Sequence, residues 1–135
     1  MNYGENSEKE YNMERTATVG FMRSMKEIMQ INPSMPAAQI YVLAAVSLNE
    51  GKSLTELCQI TGIRHATLSR YLLDLSDKRR TGDGHGFKLV NREVDPMELR
   101  KNMYTLAPKG RHLFRTIASY FQPQKGTSIV DIPGS

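Results

Sequence analysis

Ser53-Leu54-Thr55-Glu56-Leu57-Cys58-Gln59-Ile60-Thr61-Gly62-Ile63-Arg64-His65-Ala66-Thr67-Leu68-Ser69-Arg70-Tyr71-Leu72-Leu73-Asp74-Leu75 is the stretch that decides the fold. It opens on a capping box, S-x-x-E, in which the Ser53 hydroxyl and the Glu56 carboxylate each satisfy an amide at the start of a helix. That helix runs over about 54–60 and stops at Thr61-Gly62, because glycine takes a left-handed backbone without steric cost. A second helix follows over about 65–77, with Leu68, Leu72 and Leu75 forming one apolar face at i, i+4 and i+7. Two short helices joined by a tight glycine turn are the sequence form of a helix-turn-helix.

Downstream, the residues from Lys78 to Gly86 make a basic, glycine-rich loop. Phe87–Val94 and Leu99–Leu106 then read as two β-strands around a turn at Asp95-Pro96-Met97-Glu98. Helical spacing returns after Pro108, with Leu113, Phe114, Ile117, Ala118 and Phe121 on one side, and Pro123 ends it. Upstream, Pro36–Asn49 reads as a helix whose run Ile40–Val46 is apolar nearly all round, a pattern of deep burial, with Gly51 as its C-cap. Before the break at Asn32-Pro33-Ser34-Met35-Pro36, an amphipathic helix covers about 7–30. Its Phe21, Met25, Ile28 and Met29 fall at i, i+4, i+7 and i+8, with Met22 beside them. Methionine fills irregular gaps, so this stripe suits either a partner chain or an ordinary core face.

The fold class is therefore mainly α with a small β-hairpin wing: a winged helix-turn-helix with flanking helices for dimerisation. Residues 1–34 form the N-terminal dimerisation helix, 35–121 the winged helix-turn-helix with its closing helix, and 122–135 a flexible tail. The dimer contacts expected are Phe21, Met22, Met25, Ile28, Met29, Ile117 and Phe121, an apolar set that a winged core alone does not require.

Charge is placed unevenly along the 135 residues. Residues 1–50 carry four Lys/Arg against six Asp/Glu, and residues 51–115 carry thirteen against seven. A basic middle beside an acidic start points to a face that meets a polyanion, or to a solvated basic surface. The longest apolar run is far short of the roughly 20 residues of a membrane span. No uncharged hydrophobic stretch opens the chain, so no signal peptide is predicted and the location expected is cytoplasmic. Enzyme motifs fail on inspection. Gly51-Lys52-Ser53 echoes a phosphate-binding loop, but Val46 stands where that pattern needs glycine. Gly82-Asp83-Gly84-His85-Gly86 is not a dinucleotide fingerprint, and it precedes a strand. His65, His85, His112 and Cys58 lack metal-ligand spacing, so no metal or cofactor is expected, and Cys58 reads as a small core residue.

From Pro36 to about Phe121 the chain resembles the MarR family of winged-helix transcription regulators. Leu54–Ile63 followed by Thr67-Leu68-Ser69-Arg70-Tyr71-Leu72 resembles the family pattern LTxSELAxxLGL…STVSRLV. Leu89-Val90-Asn91-Arg92, then Asp95-Pro96, Glu98-x-Arg100, five residues, and Leu106-Ala107-Pro108-Lys109-Gly110 resembles the family wing, D-x-R, five residues, L-T-P-K-G. The chain departs from that pattern at three places. Arg64-His65 replaces a small capping residue followed by Arg, Arg79–Phe87 is inserted before the wing, and the closing helix is short.

In a helix-turn-helix the second helix puts its N-terminal residues on base edges in the major groove. Here these are Arg64, His65, Ala66, Thr67, Ser69 and Arg70. Arginine can pair bidentately with guanine, and Ala66 or Thr67 can touch a thymine methyl. The structural alternative for Arg70 is an i, i+4 pair with Asp74. Arg92, Arg100 and Lys101 of the wing are candidates for phosphate or minor-groove contact, or are loose charges on an exposed hairpin. The resemblance implies that Glu98 holds Arg100. Lys78, Arg79 and Arg80 either complement the helix dipole or track a phosphate backbone. The resemblance implies a homodimeric regulator, a repressor by family habit, whose partners are double-stranded DNA and a second copy of itself. It also implies a small-molecule effector, for which no residue pattern stands out. Two other readings remain: a winged-helix adaptor that binds protein, and a plasmid or phage replication or partition factor that binds DNA.

Overall fold

The computed structural model describes residues 3–77 and 86–122. Among the described residues five helices and three strands follow in the order α1 (Tyr3–Ile31), α2 (Ala37–Leu48), β1 (Lys52–Ser53), α3 (Leu54–Thr61), α4 (His65–Leu75), β2 (Val90–Asp95), β3 (Glu98–Leu106) and α5 (Pro108–Tyr120). The architecture is mainly α with a small antiparallel sheet, a winged helix-turn-helix. The chain divides into two compact units, Ser34–His112 and a second made of Met1–Pro33 with Leu113–Ser135.

In the Ser34–His112 unit the core is aliphatic. Val42, Leu43 and Val46 of α2, Leu57 of α3, and Leu68, Leu72 and Leu75 of α4 are fully buried with Leu89 and Val90. Each side chain of that size contributes about 1.5–3 kcal/mol by leaving water, so this set outweighs any surface charge pair in holding the unit together. The apolar run of α2 is not buried all round: Tyr41 is exposed and Ile40 half-buried. Gln39 is buried too, and its amide donates to the Tyr71 carbonyl at 3.2 Å, tying α2 to α4.

Two helix ends differ from the sequence reading. Asn49, not Gly51, closes α2, its amide donating to the Val46 carbonyl and its side chain to the Ala45 carbonyl. Gly51, at φ +87, turns the chain into β1 and donates to the Tyr104 carbonyl at 2.9 Å. That contact creates a third strand, so the sheet order is β1-β3-β2. Helix α4 ends at Leu75. The amides of Gly86, Phe87, Lys88 and Leu89 donate to the carbonyls of Asp77, Asp74, Ser76 and Leu75 respectively. Those amides are therefore unavailable to the sheet, and Lys88 sits in the left-handed region at φ +57. This is why β2 starts at Val90 and not at Phe87.

Glu50 ties the end of the wing back to the core. Its carboxylate accepts from the Leu106 amide at 2.9 Å and from the Arg111 guanidinium at 2.9 Å. The Leu106 amide is the main cause that holds the carboxyl below the usual carboxylate range. Partial desolvation opposes it, and the Arg111 guanidinium lowers the value further. A depressed carboxyl contributes stability above its unfolded value and loses it as pH falls through the folded one. Glu50→Gln is expected to destabilise by about 1 kcal/mol at pH 7, the low end for a charged hydrogen bond at a partly solvated site. The gap to wild type should close as pH falls below about 4.5, the unperturbed value. Urea melts of both proteins at pH 7 and pH 3.5 check this, and a gap that stays constant would contradict it.

In the other unit, the buried line of α1 is Gly20, Ser24 and Ile28, at i, i+4 and i+8. Gly20 lies against the Phe121 ring, where a Cβ would come within 2.6 Å of a ring carbon. Tyr120 donates to Glu27 at 2.5 Å, which with burial pushes its phenol up, and Arg23 lies over the Tyr120 ring at 5.8 Å. Of the candidate dimer residues, Ile28 is buried, Met25 and Ile117 are half-buried, and Phe21, Met22, Met29 and Phe121 are exposed.

Candidate nucleic-acid interface

The capping box forms as the residue types demand. The Ser53 hydroxyl accepts from the Glu56 amide at 3.2 Å, and the Glu56 carboxylate accepts from the Ser53 amide at 3.2 Å. At the other end of α3, Gly62 adopts φ +73 and donates to the Cys58 carbonyl at 2.8 Å. The Thr61 hydroxyl donates to the Leu57 carbonyl and accepts from the Ile63 amide, fixing the turn. Arg64 is the N-cap of α4 and contributes no side-chain cap. First-turn amides left without a side-chain acceptor are ready donors to an anion.

With Leu68, Leu72 and Leu75 turned into the core, the opposite side of α4 carries Arg64, His65, Ala66, Ser69 and Arg70, all exposed, while Thr67 is half-buried. The wing is an antiparallel pair with one irregularity. Val94 pairs with Asn102 and Asp95 with Glu98, so Leu99, Arg100 and Lys101 have no partners opposite them. Such a bulge bends its strand and re-aims the side chains it carries. The turn is pinned by Asp95, whose carboxylate accepts from the Met97 amide at 2.8 Å.

A cleft of about 580 Å³ joins the two parts, lined among others by Glu56, Gln59, His65, Glu98, Arg100 and Lys101. Arg100 and Lys101 of the wing and His65 at the start of α4 are thus brought together, whereas Arg92 lies outside this cleft. Lys101 approaches the Glu56 carboxylate at 3.7 Å and Lys52 approaches it at 3.6 Å. The Ser53 amide and hydroxyl are the main causes that lower the Glu56 carboxyl, with the two lysines adding to them. Arg92 and Arg100 are exposed, and among the described residues no ion pair joins Glu98 to Arg100. Lys78, Arg79, Arg80 and most of the insertion Arg79–Phe87 lie outside the described residues.

Sequence reasoning missed the role of Glu56 beyond its cap, and it missed β1, which brings Lys52 beside that carboxylate. The capping-box motif marked Glu56. No local pattern marks its meeting with Lys101, forty-five positions on. Among the described residues no group of three or more His, Cys, Asp or Glu is placed to hold a metal, and no helix is long and apolar enough to cross a membrane.

No protein-family model matches this chain, and no curated protein matches it either. Solved structures do. The chain is 26% identical to Bordetella bronchiseptica BpsR, a protein whose DNA binding is regulated by 6-hydroxynicotinic acid, with a TM-score of 0.52 over 75% of this chain and 71% of that one. It is 18% identical to S. aureus MepR, solved as a DNA complex, with a TM-score of 0.57 over 85% of this chain and 80% of that one. It is 15% identical to a mutant MarR from E. coli, with a TM-score of 0.55 over 89% and 76%. The fold is that of the MarR-like winged helix-turn-helix proteins.

Proposed function

We propose that this chain is a sequence-specific, double-stranded DNA-binding transcription regulator, a repressor that reads an inverted repeat as a homodimer. One observation carries the reading: His65, at the exposed start of α4, lines one cleft with Arg100 and Lys101 of the bulged wing, and Arg64, Ser69 and Arg70 are exposed on the same helix. The α4 residues are the base readers, and Arg92 and Arg100 are the phosphate or minor-groove contacts. Lys101 reaches phosphate by exchanging Glu56 for it. Phe21, Met22 and Met29, left exposed on α1, supply the dimer contact together with Phe121. The DNA binding of BpsR is regulated by 6-hydroxynicotinic acid, and a small-molecule effector belongs to this proposal.

Selection of bound sites from random duplexes tests the reading. Enrichment of an inverted repeat with half-sites about 10–10.5 base pairs apart, centre to centre, is the expected result. No enrichment would overturn it.

The wing supplies a sharper expectation. Arg100→Ala should flatten the slope of log K against log[salt] by about 0.9 if Arg100 meets a phosphate. If it enters the minor groove instead, the loss should be largest on narrow A·T tracts. Because Glu98 does not hold Arg100 in the free protein, Glu98→Gln should tighten binding roughly two- to fivefold by removing an acid beside the duplex, about 0.5–1 kcal/mol at a solvated site. Filter binding at four salt concentrations measures both. Weaker binding by Glu98→Gln would show that the acid positions Arg100 in the complex.

One observation favours the adaptor reading. At the wing tip Met97 is 92% exposed and Leu99 81% exposed, with Asp95 and Glu98 and also Arg100 and Lys101 close in sequence. An exposed apolar pair suits a protein surface better than phosphate, and on the adaptor reading the wing cations beside it meet an acidic partner. Unchanged duplex affinity and salt slope in Arg100→Ala would shift the weight to that reading.

A further inference from the structure

A second cleft, of about 510 Å³, lies beside β2, one of the two edge strands of the sheet. Three cations from three separate segments line it: Lys88 ahead of the strand, Arg92 on it, and Lys109 in the first turn of α5. Among the described residues Asp77 is the one carboxylate in the lining. Val90 and Pro108 supply an apolar wall.

Two features set this cluster apart from scattered surface charge. The first is rigidity. Lys88 holds φ +57, a backbone region that a non-glycine residue rarely occupies. Its amide donates to the Ser76 carbonyl at 2.8 Å. The next residue, Leu89, donates to Leu75 at 2.8 Å and accepts from the Ala107 amide at 2.9 Å. Lys88 is thereby pinned between the end of α4 and the start of α5, at a position where glycine would cost less. Sparsely populated backbone of this kind gathers where a site needs a side chain held in place.

The second feature is excess positive charge: three cations converge on a cleft whose described lining holds one carboxylate, Asp77. Lys52, Lys101 and Arg111 each have a carboxylate partner within 4 Å, whereas Lys88, Arg92 and Lys109 form no ion pair among the described residues. Convergent like charges repel, and their field draws in an anion that relieves the repulsion.

We propose that this cleft is a phosphate-binding site. A planar guanidinium offers paired donors to two oxygens of a phosphate, while two ammonium groups serve as point charges for the rest. The cleft exceeds the volume of a phosphate, and the wall of Val90 and Pro108 accommodates the carbon skeleton attached to it. The phosphate comes either from the backbone of a bound duplex or from a free phosphate-bearing small molecule. Only the first source rests on the duplex-binding reading above.

Two measurements on the full chain test the site. In the first, inorganic pyrophosphate is titrated at constant ionic strength while amide shifts are followed by NMR. In the second, the salt slope for a random duplex is compared between wild type and a Lys88→Gln, Lys109→Gln double variant. Saturable shifts centred on Lys88, Arg92 and Lys109, lost in the double variant, with an unchanged duplex slope assign the site to a free anion. A slope shallower by up to about 1.8 in the double variant assigns it to the duplex backbone, with or without pyrophosphate binding. Non-saturating shifts together with an unchanged slope overturn the proposal. Lys109→Gln alone, at an exposed helix position, serves if the double variant melts early, and should show about half the slope change. A wild-type chain that binds no duplex sinks the duplex-binding reading, and the pyrophosphate titration still decides the cleft.

Discussion

Gly110→Ala is expected to destabilise the protein by about 1–3 kcal/mol or more, the range for forcing an extra carbon into a packed site. A Cβ at position 110 would come within 2.2 Å of the Leu89 carbonyl oxygen and 3.2 Å of its carbon. The obstruction is backbone, so no side chain can swing aside. The same carbonyl accepts from the Ala107 amide, so moving it breaks a hydrogen bond that seats α5 beside the sheet. The change should also disturb Lys88, the neighbour of Leu89, and with it the cleft beside β2. Gly62→Ala makes a useful comparison. Nothing lies within 4 Å of a Cβ there, and its cost is that of a left-handed backbone alone, about 1–2 kcal/mol. Denaturant melts of both variants check the order. A Gly110→Ala protein as stable as wild type would mean that the start of α5 shifts freely.

Arg70→Ala is expected to cost about 1–3 kcal/mol on the preferred duplex and much less on random DNA, because a base contact carries sequence information that a phosphate contact does not. Arg70 is exposed on the side of α4 opposite the buried leucines, and the variant should therefore melt like wild type. Equal losses on specific and random duplexes would place Arg70 on phosphate and move base reading to Arg64, His65 and Ser69. The comparison is best made at one salt concentration, since the nonspecific term changes steeply with salt.

Much of this protein was legible in the chain itself, and the legible parts share a property: they depend on neighbours a few residues apart. The capping box at Ser53 and Glu56, the left-handed stop at Gly62, and the buried face Leu68, Leu72 and Leu75 all rest on interactions within one or two helical turns. The wing turn at Pro96-Met97 belongs with them. The outward face of α4 followed from its inward one.

What the tertiary structure decided lies where partners are distant in sequence. The strand β1 exists because Gly51 finds the Tyr104 carbonyl, and two residues bear no strand signal of their own. The strand β2 begins late because four amides before it are taken by the end of α4. The α1 stripe suited either a partner chain or a core face; the close approach of the Phe121 ring puts Gly20 in the buried line with Ser24 and Ile28 and leaves Phe21, Met22 and Met29 exposed. Glu50 reached Leu106 and Arg111, and Lys88, Arg92 and Lys109 met around one cleft, with no periodicity to announce either. Hydrophobic spacing reports which side of an element faces inward. It carries no information about which carboxylate or cation from elsewhere in the chain will stand beside that element, because such pairings are set by how the packed elements close on one another.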